Sequence, residues 1–237
     1  MRIEEIRNKL QYLSDARSAK MLQRFFKTGP GEYGAGDIFI GIRVPVLRRL
    51  AKEYEIATLT EVKELLHSSI HEERLLALLI LIRIYQKNDA IERKRIYQLY
   101  LRNSRFINNW DLVDCSAEHI AGDYLFNKSK RPLYQLAKSK NLWERRISII
   151  STFHFIKREH FNDTLKIAEL LLNDKEDLIH KAVGWMLREV GKRNLQLEEV
   201  FLKKHCLNMP RTMLRYAIEK FPAAIRQNYL KGIFIDR

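Results

Sequence analysis

The sequence predicts an all-α protein built from paired helices, and three observations carry that reading. The first is where the breakers fall. Five of the nine glycines lie between Gly29 and Gly41, and beyond Pro45 the chain is almost free of glycine and proline. The second is periodicity. Segments such as "VPVLRRLAKEY", "EERLLALLILIRIYQK" and "ERKRIYQLYLR" repeat apolar residues at helical spacing, and no stretch sustains alternation with period two. The third is recurrence. The stretches at 68–78, 140–150 and 175–185 superpose as a polar opening, a basic residue and an apolar helix. Their basic residues are Arg74, Arg146 and Lys181, and Arg215 continues the series, at steps of 72, 35 and 34 residues, the first close to two repeats. A two-helix period of that length predicts an α-solenoid of HEAT or armadillo-like repeats with a concave basic face, in a single domain over residues 1–237.

Taken in order, the opening "MRIEEIRNKLQYL" mixes charged and apolar residues without an uninterrupted apolar core, so it reads as a helix and not as a signal peptide. The Gly-rich stretch at 29–37 then reads as a loop inserted in the N-terminal part. Its "GPGEYG" matches G-x-G-x-x-G by letter, but a helical segment precedes it and Pro30 removes a backbone donor, so dinucleotide binding is not expected. The apolar run "LLALLILI" at 75–82 is too short to span a bilayer, is flanked by Arg74 and Arg83, and reads as a buried helix.

The helix in "NNWDLVDCSAEHIAGDYL" carries Val113, Ala117, Ile120 and Tyr124 as its apolar stripe. Asn108 or Asn109 can cap it, and Asp111 sits in the first turn, where the helix dipole favours negative charge. Trp110 and Asp114, four apart, share one face on the flank of that stripe. Further on, "NLWERRISII" supplies Trp143, Arg145 and Arg146. In "HKAVGWMLREVGK" the stripe is Ile179, Val183, Met186, Leu187 and Val190, which turns Trp185 toward Lys181, Arg188 and Lys192. An aromatic on such a face suits stacking or sugar contact with nucleic acid, and Gly184 beside it allows close approach of another backbone or of DNA.

Composition limits the function. The chain has 237 residues with 46% hydrophobic and 30% charged residues, as in a folded globular protein. Its 43 Lys and Arg against 29 Asp and Glu leave a net charge of +14, which favours a polyanionic partner through counterion release. Cys115 and Cys206 are far apart and lack C-x-x-C spacing, which fits a reducing cytoplasm. The seven histidines are dispersed without H-E-x-x-H spacing, so neither a metal nor another cofactor is expected. A carboxylate and indole faces on a basic surface are poorly suited to abstracting a proton. They are well suited to stabilising a cation, such as the sugar of an alkylated purine whose N-glycosidic bond is breaking.

The motifs "WDLVD", "LWERR" and "KAVGWMLRE" together resemble the AlkD-type DNA glycosylases of the DNA alkylation repair enzyme family. The resemblance runs over roughly residues 37–221, with "FIGIRVPVLRRLAK" similar to the family's entry into its first repeat. It implies a monomeric solenoid around duplex DNA that removes cationic N3- and N7-alkylpurines without drawing the base into a pocket. By the same resemblance Asp114 is the catalytic carboxylate, Trp110 and Trp185 are the indoles around the sugar, and Arg146 contacts DNA. Lys181, Arg188, Arg145, Lys192 and Trp143 complete the expected DNA-binding set. The loop at 29–37 is a departure from the family pattern. Two other functions remain open at this point: a non-catalytic helical-repeat protein that binds damaged or branched DNA, and a scaffold for an acidic protein with Trp185 as its anchor.

Overall fold

The computed structural model describes residues 2–233, and for Arg2 its backbone alone. The regular elements of the described residues are all helical, and their sole β feature is an isolated parallel bridge between Ile38 and Ile70. The chain divides into two compact units, Met1–Ser116 and Ala117–Arg237.

The first unit contains α1 (Arg2–Tyr12), α2 (Ala16–Phe25), α3 (Val44–Glu53), α4 (Leu59–Leu66), α5 (His71–Lys87), α6 (Ala90–Arg102) and α7 (Trp110–Ala117). Polar caps set the helix starts. Asp15 accepts from the Ser18 N–H at 2.7 Å, Thr58 and Glu61 form a reciprocal capping box, and Asp89 accepts from Ile91 and Glu92. The apolar run at 75–82 lies in α5, which is buried on nearly every side and packs against α3 and α4. Between α2 and α3 the Gly-rich segment folds into ordered turns. Its end is fastened by Glu72, whose carboxylate accepts from the N–H groups of Ile40, Gly41 and Ile42 at 3.1, 2.8 and 3.3 Å. Gly41 has φ +88°, and a Cβ there would stand 2.7 Å from the Ala19 nitrogen, so only glycine fits.

The second unit opens with a π-helical turn at Glu118–Gly122, followed by α8 (Asp123–Leu125), α9 (Arg131–Ala137), α10 (Leu142–Ser151), α11 (Phe153–Ile156) and α12 (Asn162–Leu170). It continues with α13 (Asp177–Gly191), α14 (Leu195–His205), α15 (Arg211–Ala217) and α16 (Ala223–Lys231). Helix α13 is central and packs on α10, α14 and α15. The π turn adds a residue to the helical path, so the buried stripe steps from Val113 and Ala117 to Ile120, Ala121 and Leu125, while Tyr124 is half exposed. Gly184 allows a close approach as expected, but the neighbour is α15: a Cβ would lie 2.5 Å from that of Tyr216.

The repeats are in a register one residue away from that read in the sequence. Arg74 reaches back six residues to the Ser68 carbonyl at 3.0 Å, and Arg145, not Arg146, makes the matching bond to the Ser139 carbonyl at 3.0 Å. His180, not Lys181, does the same to the Asp174 carbonyl at 2.6 Å. The recurring polar residue at the head of each helix thus satisfies a carbonyl of the preceding turn, a structural task and not a phosphate contact.

The contact at Gly184 predicts that Gly184→Val forces α13 and α15 apart. A loss of about 2 kcal/mol or more, and a melting temperature lower by roughly 4 °C or more, is expected in a calorimetric comparison with the wild type.

Candidate functional site

The site residues of the first unit gather at the start of α7. Asn109, fully buried, accepts from the Trp110 N–H through Oδ1 at 2.8 Å and donates from Nδ2 to Asp37 at 3.2 Å. This fixes the rotation of α7 at the position where Trp110 enters it. The half-exposed Trp110 ring then lies on a stack of rings. Phe26 is parallel to it at 5.1 Å, Phe39 is parallel to Phe26 at 4.9 Å, and the His71 imidazole lies against Phe39 at 4.3 Å. Phe25 meets the indole edge-on at 6.0 Å. Asp114, one turn further along, is half-buried on the same face of α7. An apolar cavity of about 270 Å³ lies against the same cluster, walled by Met21, Phe26, Phe39 and Ile42 with Asp111 and His71 among its lining.

Beneath the stack is a buried ionic network that sequence spacing does not reveal. His71 Nδ1 is 3.0 Å from Asp37 and Nε2 is 2.8 Å from Asp111. Arg74 bonds the other oxygen of Asp37 at 2.6 Å. With a carboxylate at each ring nitrogen, both nitrogens must donate, so the ring is an imidazolium. Burial alone would lower the His71 pKa, but the hydrogen bonds to Asp111 and Asp37 outweigh it and hold the value above the usual histidine range. Burial would likewise raise Asp37, yet its bonds to His71 and Asn109 and the Arg74 charge hold its carboxyl below the usual range. Asp111, expected to serve the helix dipole, is therefore chiefly the carboxylate that ties α7 to α5. Burial pushes the Cys115 thiol far above its ordinary value, with Asp111 and Asp114 adding to the shift, which leaves no thiolate nucleophile beside Asp114. Phe26, Phe39, Asp37 and His71 lie 13 to 84 residues from their partners, and the one local hint was His71 followed by Glu72 and Glu73 at a helix start.

In the second unit, Trp185 does not stand on an open basic face. Its Nε1 donates to Glu189 at 3.3 Å and its ring tilts against Phe153 at 5.7 Å, leaving it half-buried. Glu189 also pairs with Lys192 at 2.6 Å and Arg193 at 3.3 Å. Burial would raise Glu189, but Lys192, Arg193 and Trp185 together hold its carboxyl below the usual range.

Two members of the expected DNA-binding set are corrected by burial. Trp143 is 7% exposed and Arg146 is 4% exposed, with the Arg146 guanidinium donating to the Leu178 carbonyl. Helix α10 is buried over most of its length, so these side chains have core to fill, and neither presents an open surface. Arg145 is engaged by Asp174 at 2.6 and 3.2 Å as well as by the Ser139 and Lys140 carbonyls. Lys181 pairs with Asp177 at 2.7 Å and Arg188 pairs with Glu219, and Lys181 and Lys192 keep substantial exposure. Among the described residues no group of His, Cys, Asp and Glu is placed to hold a metal ion, and no helix is long and apolar enough to cross a membrane.

Comparison with known proteins places these features in context. A family model described as DNA alkylation repair enzyme matches residues 6–221. Among solved structures, a predicted DNA alkylation repair enzyme from Enterococcus faecalis superposes with a TM-score of 0.67 at 18% identity, over 89% of this chain and 97% of that one. AlkD2 from Streptococcus mutans superposes with a TM-score of 0.54 at 18% identity, over 87% and 98% of the two chains. At such identity the likeness is one of fold. Comparison with curated proteins returns no match.

The His71 clamp predicts a signed pH dependence. A raised histidine pKa contributes stability that is complete below the unfolded-state value and lost as pH rises through the folded one. The depressed Asp37 works from the other side, contributing above its unfolded-state value and losing that contribution as pH falls through the folded one. His71→Gln is therefore expected to cost most in mildly acidic solution, about 3–5 kcal/mol by the measure of removing one partner from a buried ion pair. The gap to the wild type narrows as pH rises past the ordinary histidine range and through the raised folded-state value, read by denaturant melts. A gap independent of pH would show that the clamp does not act through charge.

Proposed function

The chain belongs to the DNA alkylation repair enzyme family, and from that premise we propose that it is a DNA glycosylase for cationic N3- and N7-alkylpurines. One observation carries the proposal: a half-exposed indole and a carboxylate one turn away share a face of α7, with the indole backed by a fixed ring stack. Such a pair recognises positive charge. The indole face attracts a cation, and the carboxylate opposes it at short range.

In the proposed reaction the C1′–N bond breaks and its electrons leave with the purine, which departs neutral. The sugar is left with oxocarbenium character. Asp114 stabilises that charge and orients a water molecule, whose oxygen bonds to C1′ while its proton passes to solvent. The products are a free base and an abasic site. No general acid is needed, because the alkylated purine is already a good leaving group. Rigidity matters here: an indole held in place by a buried bond and a ring stack needs no reorganisation as charge develops.

Trp185 is proposed as a second indole serving the same substrate, on the strength of its motif position, with Lys181 and Lys192 as phosphate contacts from their remaining exposure. The net charge of +14 supports the polyanionic substrate.

The test is release of free base from methylated duplex DNA at fixed salt. Asp114→Asn is expected to lower the single-turnover rate about 100- to 1,000-fold, the usual effect of losing one charge-stabilising group, with DNA affinity nearly unchanged. If the wild type binds the duplex but releases no base, the chain is a non-catalytic binder of damaged DNA.

A further inference from the structure

Helices α4 and α6, which carry none of the candidate site residues, enclose an open groove of about 430 Å³ in the first unit. Its charged lining consists of cations: Lys63 from α4, Arg95 and Arg102 from α6, and Arg105 from the following turn, and no carboxylate is among the residues that line it. Lys63 and His67 are four apart and Arg95 and Arg102 seven apart, so each helix presents one aligned face to the groove.

The groove is also pre-shaped. The Phe106 ring stacks on His67 at 3.9 Å, and the Arg105 guanidinium lies 4.6 Å from the centre of the same ring. His67 Nε2 is 2.7 Å from Asn103 Oδ1, and Asn103 Nδ2 donates to the Leu99 carbonyl at 2.7 Å. That second bond fixes the amide orientation, so Nε2 is the donor and the imidazole is held in place. Arg105 thus lies on an anchored aromatic platform and not on a free tether. Of the lining cations, Arg95 has a counter-ion in Glu92 at 3.2 Å, on the exposed side of α6.

We infer that this groove is a second binding site for the phosphodiester backbone of duplex DNA. Guanidinium groups match phosphate oxygens through paired donors. Spacing decides between a strand and a single anion. Arg95 and Arg102 lie about 10 Å apart along the helix axis, from seven residues at 1.5 Å each, too far to share one phosphate and suited to different phosphates of a strand. The inference rests on DNA being the substrate, and it assigns part of the affinity to helices that carry none of the proposed catalytic residues.

The experiment measures the affinity of undamaged duplex DNA by fluorescence anisotropy across a salt series, for the wild type and for Arg95→Gln/Arg102→Gln/Arg105→Gln. All three side chains are exposed, so the fold is expected to be retained, checked by circular dichroism. Each lost phosphate contact lowers the magnitude of the slope of log affinity against log salt by about 0.9, so a decrease of about 2 to 3 is expected. Calorimetry with inorganic pyrophosphate runs beside it. Pyrophosphate binding that the triple variant loses, with the duplex slope unchanged, would make this a site for a free anion and overturn the inference. Equal slopes without pyrophosphate binding would overturn it as well. Base release by the wild type separates the two proposals: if it persists while the slopes are equal, only the second site falls. If the wild type does not bind duplex DNA, both fall.

Discussion

The arrangement of the first unit depends on one buried charge, the imidazolium of His71 held between Asp37 and Asp111. Each carboxylate arrives from a different part of the chain. Asp37 ends the Gly-rich turns, Asp111 begins α7, and His71 itself begins α5. Removing several charges from water is expensive, and such a cluster is tolerated when its members neutralise one another and their remaining donors and acceptors are filled. Here two carboxylates face one imidazolium and one guanidinium, so the cluster is neutral as a whole. Asn109 supplies a further donor to Asp37, and the Leu112 N–H supplies one to Asp111 at 2.9 Å. The network adds little to stability by attraction alone. Its effect is positional, because no other rotation of α7 presents Asp111 to His71.

That constraint reaches the indole through the ring stack. Phe39 covers His71, Phe26 covers Phe39, and Trp110 covers Phe26, so the indole plane follows the plane of a buried imidazole. The loop that looks like an insertion in the sequence is the part that makes this possible. It delivers Asp37 to the network, and Phe39 follows Asp37 two residues later. Glu72 then ties down the backbone of Ile40, Gly41 and Ile42. A flexible loop would have left the indole free to reorient, whereas this one turns a side chain at a helix start into a fixed surface.

Helix identity and core were legible in the sequence because periodicity reports them directly. The central helices α5 and α13 and the pairing of Trp110 with Asp114 followed from spacing. Three features did not. The His71 network joins residues up to 72 positions apart along the chain, beyond what any helical period can relate. The repeat register slipped by one because Arg145 and Arg146 are adjacent and both basic, and only the bond from Arg145 to the Ser139 carbonyl separates them. Trp185 was read from the helical wheel of its own helix, which is blind to Phe153 arriving from α11.

The same blindness bears on charge. Arg145, Lys181, Arg188 and Lys192, read from sequence as DNA-binding residues, each have a carboxylate partner in the structure. Pairing does not erase their contribution to a surplus of +14, which is a property of the whole chain and acts at the range of the Debye length, about 10 Å in moderate salt. It does change what they can do at contact, since a paired cation must leave its partner before it meets a phosphate. Paired cations such as Lys181 and Lys192 thus act at long range at once and at contact only by exchanging partners. The surplus draws a polyanion to the surface, and Arg102 and Arg105, in a groove lined by no carboxylate, add direct contacts to it. A protein of this charge needs both, because attraction without fixed contacts gives binding without register, and the proposed chemistry at Asp114 requires a sugar held at one place.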